Sequence, residues 1–307
     1  MNYVQLYQAI QDYAETTEQL FVANIPTFVQ EAEERIYNSV QIPALRKNVT
    51  GTLTSGNKYL SLPNDWLSTY SLAIINADGT YEYLLNKDVN YIRQAFPSPT
   101  DTGTPTHYGL FGSQYSATNE LSLILGPTPN ASYNAELHYF YYPPTIVQGQ
   151  ISLISVTTVG SLYVPGVYEN VSLTGGSGSG ATATIVVNSS GAVSSVTLNE
   201  GGQFYVVSNI LSASTASLGG AGSGFTATVN GVSNTAGTSW LGDNYDPVLF
   251  YGSMREAMLF MKGEQDLITY YEQKYQEAMG QLNRLGSGLE RGDAYRDGQY
   301  RIGQVKP

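Results

Sequence analysis

The spacing of apolar residues changes character along this chain. On the C-terminal side, Phe250, Met254, Met258 and Met261 recur at steps of three and four. After Gly263 the same spacing resumes at Leu267, Ile268, Tyr271, Tyr275, Met279, Leu282 and Leu285. Such steps place side chains on one face of a helix. Two amphipathic helices broken at Gly263 are therefore expected, ending before Gly286-Ser287-Gly288. Asp246 is expected to cap the first. Pro247 then takes the first helical position, where a missing N–H costs no bond. At the other end, Val4, Tyr7, Ile10 and Tyr13 predict a helix over 2–20. Phe28, Val29, Ala32, Ile36 and Val40 predict another over 25–40, with Asn24 as cap and Pro26 in its first turn.

From Lys47 to Pro143 the period shortens to two. Lys58–Leu62, Tyr70–Ile75, Tyr81–Leu85, Glu120–Leu125 and Tyr133–Tyr141 are rich in β-branched and aromatic residues and read as strands. Asp78-Gly79 marks a hairpin turn. Residues 150–236 change again, to Gly, Ser, Thr, Val and Ala, with Glu169 and Glu200 as the only charges. Gly178-Ser-Gly-Ala-Thr-Ala-Thr184 recurs as Gly222-Ser-Gly-Phe-Thr-Ala-Thr228, each copy preceded by a glycine pair. Two related hairpin units packed on each other are expected. This stretch reads as a self-contained module, able to fold by itself and dispensable for assembly of the rest. Beyond Leu285 the glycines and the lack of apolar periodicity predict an extended arm.

The expected fold is thus α+β. A helical bundle forms from 1–46 and 240–285. An antiparallel β domain spans 47–149, an inserted Gly-rich all-β module 150–239, and an extended C-terminal arm 286–307.

Composition narrows the function. The 307 residues include 32 Gly and 25 Tyr but no Cys, so disulfides and thiolate chemistry are excluded. The N-terminal stretch has neither the basic nor the apolar region of a signal peptide, and no run is long enough to span a membrane. The net charge of −11 opposes nucleic-acid wrapping. Between Arg93 and Arg255 there is no Lys or Arg at all, while Asp101, Glu120, Glu136, Glu169, Glu200, Asp243 and Asp246 fall there.

No catalytic constellation emerges. His107 and His138 are the only histidines, the first near a loop and the second in a strand. No serine lies in a G-x-S-x-G elbow, and no H-E-x-x-H occurs. The Gly175–Gly180 run lacks the lysine of a phosphate loop and leads into a strand. Glu169 and Glu200 could face each other across hairpins as a carboxylate pair. No cofactor is expected, and no metal; calcium at loop acids stays open, without a ligand spacing to support it. In the arm, Tyr295, Tyr300 and Ile302 alternate with Arg291, Arg296, Arg301 and Lys306. Rings that fill pockets beside bases that steer toward acids make a docking segment.

Three stretches resemble the head-to-tail adaptor (connector) proteins of short-tailed bacteriophages. They are Asn24–Ile36 (NIPTFVQEAEERI), Tyr59–Leu67 (YLSLPNDWL), and the closing helices with Trp240-Leu241, Tyr245–Gly252 (YDPVLFYG) and Glu277–Asn283 (EAMGQLN). The resemblance implies a structural virion protein rather than an enzyme. It implies a ring, usually of twelve copies, beneath the portal, with DNA passing through the lumen without specific binding. A tail or nozzle protein docks below, and tail fibres are a further partner. The virion is assembled in the host cytoplasm. The 150–236 stretch departs from the family. It leaves a second reading open, a receptor- or glycan-binding tail protein in which Tyr163, Tyr168, Phe204 and Tyr205 stack on sugars.

Overall fold

The computed structural model describes residues 1–113 and 121–302, with residues 288–302 as backbone. Packing divides the chain into two units, Met1–Val40 with Pro144–Pro307, and Gln41–Pro143.

The first helix, α1 (Tyr3–Ala14), opens with a capping box. Asn2 Oδ1 accepts the Gln5 amide hydrogen at 2.9 Å, and Gln5 Oε1 accepts that of Asn2 at 3.0 Å. It stops at Glu15, whose φ of 49° is left-handed, short of the expected end. Helix α2 (Gln19–Ser39) starts earlier than expected and carries Pro26 inside it. Asn24 is therefore not a cap; its side-chain amide donates to the Leu20 carbonyl at 2.7 Å. Pro26 cannot bond the carbonyl four residues back. The helix survives because Phe21, Ile25, Phe28, Val29 and Ile36 are all buried along it.

The unit Gln41–Pro143 is a sandwich of antiparallel sheets. Its elements are β1 (Arg46–Leu53), β2 (Tyr59–Ser61), β3 (Trp66–Ile75), β4 (Tyr81–Tyr83), β5 (Leu85–Asn86), α3 (Val89–Ala95), β6 (Thr102–Gly103), β7 (His107–Ser113), β8 (Leu121–Gly126), β9 (Thr128–Pro129) and β10 (Tyr133–Tyr141). One sheet has the order β1-β10-β3-β4, the other β2-β8-β7-β5, where the short β5–β7 pair is parallel. Leu72, Ile74, Leu137 and Tyr139 from the first meet Leu123, Leu125 and Tyr108 from the second. The β3–β4 hairpin turns through Asp78-Gly79 as the sequence predicts. Asp78 Oδ1 accepts from the Thr80 amide at 3.0 Å, and Gly79 has φ 83°.

The inserted module holds β11 (Gln150–Ser161), β12 (Gly166–Thr174), β13 (Ser179–Val187), β14 (Val193–Gln203), β15 (Ile210–Ala213) and β16 (Ser223–Ser233). Their order in one sheet is β11-β16-β15-β12-β13-β14. Read outward from the central β15–β12 pair, the two halves match: β12 with β15, β13 with β16, β14 with β11. The sequence repeats fall in β13 and β16. The third strand of the second half is β11, which comes before the first half in the chain. Both halves bulge at the same place, between Val156 and Thr158 and between Leu198 and Glu200. The same backbone follows in each. Gly160 and Gly202 have φ 66° and 62°, Leu162 and Phe204 have 63° and 60°, and Gly180 and Gly224 have 82° and 85°. Tyr163 and Tyr205 are then buried against Gly222 and Gly178, where a Cβ would collide with each ring. The sheet curls until β14 runs beside β11, and a Cβ on Gly201 would stand 2.6 Å from the Ile151 carbonyl oxygen. The result is a near-barrel with Ala183, Ile185, Leu211, Ala227 and Val229 inside.

The module is not detached from the helices. Phe204 packs on Tyr3 and Tyr7 of α1, with ring centroids at 5.4 and 5.5 Å. The Tyr3 hydroxyl donates to Gln203 Oε1 at 2.5 Å.

Three helices close the chain: α4 (Trp240–Asn244), α5 (Asp246–Phe260) and α6 (Gln265–Ile302). The break between α5 and α6 contains Gly263, as the periodicity predicts. Gly252 of α5 lets α2 and α6 come close, since a Cβ there would lie 3.0 Å from Ala32 Cβ and 3.3 Å from the Tyr275 ring. The expected extended arm is instead helical: α6 continues through Gly286-Ser287-Gly288 to Ile302. Each glycine costs about 1 kcal/mol against alanine, but a helix already nucleated at Gln265 lengthens without a new nucleation cost. Leu289, Glu290, Arg291, Ala294 and Arg296 between the glycines favour it.

Candidate functional site

The closing helices hold most of the residues singled out by sequence. Asp246 is the first residue of α5 and not its cap. Tyr245 takes the cap position without a side-chain bond. The carboxylate instead sits 3.6 Å from the Met1 amino group, at the positive end of the helix dipole. Arg291, Tyr295, Arg296, Tyr300, Arg301 and Ile302 lie on the backbone of α6. At 3.6 residues per turn, positions 291, 295 and 302 fall on one line along the helix and 296 and 300 on another. Lys306 lies outside the described residues.

The base of α6 is anchored by a chain of charges that sequence reading missed. Arg35 of α2 reaches Glu256 Oε1 at 2.8 Å, and Arg255 reaches the same oxygen at 2.7 Å. Arg255 Nε also donates to Glu272 of α6. Partial burial alone would raise Glu272, but bonds from Gln276 and Arg255 hold it below the usual carboxylate range. Two carboxylates alternating with two guanidinium groups thus tie three helices at the start of the long one.

Glu33 was equally hidden. It reads as one acid in the run Glu31-Ala32-Glu33-Glu34, yet it is 3% exposed. Its Oε2 accepts from the Thr145 hydroxyl at 2.5 Å, and its Oε1 from the Ile146 amide at 2.9 Å. Burial pushes the Glu33 carboxyl up to about 7, against the two hydrogen bonds, which pull it down. Ile146 and Val147 beside it are fully buried. A carboxyl on α2 therefore pins the strap that leads into β11.

In the other unit, the motif Pro63-Asn64-Asp65-Trp66 has a structural explanation. Asp65 receives Lys47 Nζ of β1 at 2.7 Å and the Tyr139 hydroxyl of β10 at 2.9 Å. Although burial pulls the other way, those bonds keep Asp65 below the usual carboxylate range. The half-buried Trp66 donates from its indole to Thr69 Oγ1 at 3.1 Å. The acid joins two strands, and the ring packs against the sandwich core.

The remaining candidates stay apart. His107 Nδ1 is 2.8 Å from Thr106 Oγ1, and its ring touches Tyr91 and Phe96. His138 packs edge-on against Tyr70 within the β1–β10–β3 sheet. Glu169 and Glu200 are exposed on β12 and β14, with β13 between them. Two strand spacings and a stagger along the strands separate their backbones by more than about 10 Å. Among the described residues no group of His, Asp and Glu could hold a metal ion. No helix among them is long and apolar enough to cross a membrane. The four rings of the glycan reading do not form a platform. Tyr163 and Tyr205 are core residues, Phe204 is covered by α1, and the half-buried Tyr168 bonds the Val164 carbonyl.

Among the described residues the built features are anchors, for the long helix, for the strap and for the sandwich. Against known families, residues 1–175 match the model described as SU10 adaptor protein. The chain belongs to the SU10 adaptor family. The match runs from α1 through β12 and includes the Asn24–Ile36 and Tyr59–Leu67 stretches. The segment 240–283 and strands β13 to β16 of the inserted module fall outside it. No curated protein matches the chain. SU10 adaptor membership makes this a structural adaptor of a bacteriophage particle. Asp65 and Glu33 both lie within the matched residues.

Proposed function

We propose that the chain assembles into a ring of about twelve copies that joins the portal to the tail and continues the DNA channel. Membership of the SU10 adaptor family over residues 1–175 carries this reading. The portal, or a neighbouring copy, receives the far part of α6, where Arg291, Tyr295, Arg296, Tyr300, Arg301 and Ile302 are spaced along one helix, with Lys306 beyond. A tail or nozzle protein docks below, and tail fibres attach further out. The protein acts mechanically at the head–tail interface of the virion, after assembly in the host cytoplasm, and needs no cofactor. Functionally, residues 1–46 with 240–285 serve as the bundle, 47–149 as the β domain, 150–239 as the added module and 286–307 as the docking segment.

Acids from the base-free stretch between Arg93 and Arg255, or from the first helices, line the lumen. Such a wall repels phosphates over a Debye length of about 10 Å and lets DNA pass unheld. Native mass measurement of the purified protein tests the ring. A species near twelve times 33.2 kDa is expected. A monomer or trimer at every concentration overturns the reading, and a trimer would favour the receptor-binding alternative.

A further inference from the structure

The inserted module carries two copies of one tip, and only one of them is covered. In the second half the tip is Gln203-Phe204-Tyr205-Val206; in the first it is Ser161-Leu162-Tyr163-Val164. The equivalence is geometric. The bulge, the left-handed glycine, the left-handed apolar residue and the buried tyrosine follow in the same order in both. Phe204 is covered by the neutral face of α1 formed by Tyr3 and Tyr7. Leu162, its counterpart, is 79% exposed, and Val164 and Val167 beside it are 42% and 62% exposed. A large apolar side chain held outward in a left-handed conformation gains nothing for its own fold.

The covered tip says what the open one fits: a helix presenting two apolar or aromatic residues about one turn apart, without charge at the centre of contact. Among the described residues, α6 offers such a face. Leu267 and Tyr270 lie at i and i+3 on α6 and are 46% and 49% exposed. Tyr271, Tyr275 and Leu282 turn into the bundle, and Leu267 and Tyr270 lie exposed at the edge of that face. Glu169 follows the open tip in β12, and Lys274, which pairs with Glu277 at 3.1 Å, follows Tyr270 by one turn.

We propose that the Leu162 tip of one subunit docks on the Leu267–Tyr270 face of α6 in the next copy of this chain. Two different complementary patches on one chain make a head-to-tail contact, which closes into a ring when the rotation allows. The inference rests on the ring reading and names the contact within it. It also makes the module part of assembly, contrary to the expectation that it is dispensable.

Because the protein contains no cysteine, paired cysteines report the contact directly. The double variant Leu162→Cys with Tyr270→Cys should give a ladder of covalent oligomers on oxidation. Each single variant should give no species beyond a dimer. In parallel, Leu162→Asp should weaken association at least tenfold by native mass and sedimentation, with an unchanged near-ultraviolet spectrum. Val164→Asp serves as the second variant should the first misfold. A full-mass ring without a ladder, or a ring unaffected by both aspartates, overturns this contact and leaves the ring reading intact. A wild-type chain that stays monomeric at all concentrations overturns both.

Discussion

Glu33 Oε1 accepts the amide hydrogen of Ile146 at 2.9 Å, across 113 residues of sequence. The carboxyl that makes this bond is buried and holds its proton up to about pH 7, against 4.5 when free. Between those values the folded chain binds more protons than the unfolded chain. This group's contribution to stability is therefore largest at low pH and falls as pH rises toward 7, by about 3 kcal/mol in all. Glu33→Gln keeps an acceptor for Ile146 and removes the titration. Urea unfolding from pH 4 to 8 should show wild type losing ground to the variant by that amount. Parallel curves would mean that the carboxyl meets water in the folded protein.

Asp65 has the opposite sign. Its folded-state proton affinity lies below the ordinary value because Lys47 and Tyr139 bond its charged form. Its stabilisation is present above the unfolded value near 3.8 and is lost as pH falls through the lower folded value. Asp65→Asn should cost about 1–2 kcal/mol at pH 7 and much less near pH 2. Thermal melts at the two pH values check it; an equal loss at both would assign the effect to packing.

The paired glycines of the inserted module separate two costs. Gly222→Ala meets the Tyr163 ring and also sits at φ +88°. Gly178→Ala meets the Tyr205 ring without that strain, and Gly220→Ala has φ +81° with open space around it. Expected losses are about 3, about 2 and about 1 kcal/mol in that order. Chemical denaturation of the three variants gives the ranking, and equal losses would mean that collision with the ring and backbone strain do not add.

Truncation after Leu285 should leave the melting of the remaining chain nearly unchanged, since the buried α6 residues Tyr271, Tyr275, Met279 and Leu282 are retained. Attachment to portal-bearing heads should fall by at least tenfold, as many weak contacts are lost together. Co-sedimentation with heads measures it, and undiminished attachment would make the distal helix spare chain.

How far the sequence could be read depended on the size of the signal at each site. The α5–α6 pair was legible from residue spacing because its buried face is apolar from Met254 to Leu282. Boundaries drifted where packing overrode local preference, as at Pro26 inside α2. Strands β1 and β7 escaped notice. Most of β1 is exposed and polar, and β7 carries Gly109 and Gly112. The repeat was visible in Gly178–Thr184 and Gly222–Thr228. That β11 is the counterpart of β14 was not, since the two share a backbone path and little sequence. Of the anchors, Asp65 lay in a recognisable turn. Glu33, Glu256 and Glu272 look like solvated helix charges until tertiary structure surrounds them.

The placing of β11 beside β16 sets a timetable for biosynthesis. Strand β11 is the first of its module to leave the ribosome, yet its ladder partner β16 ends at Ser233. At 5–20 residues per second, some seventy further residues take roughly 3–15 s. Throughout that interval an apolar-faced strand with Ile151, Ile154 and Val156 waits unpaired beside other nascent copies. Nascent chains on one polysome should therefore exchange this strand more readily than finished subunits do. Sparse translation, or a chaperone bound near residue 160, should raise the yield of correctly closed protein.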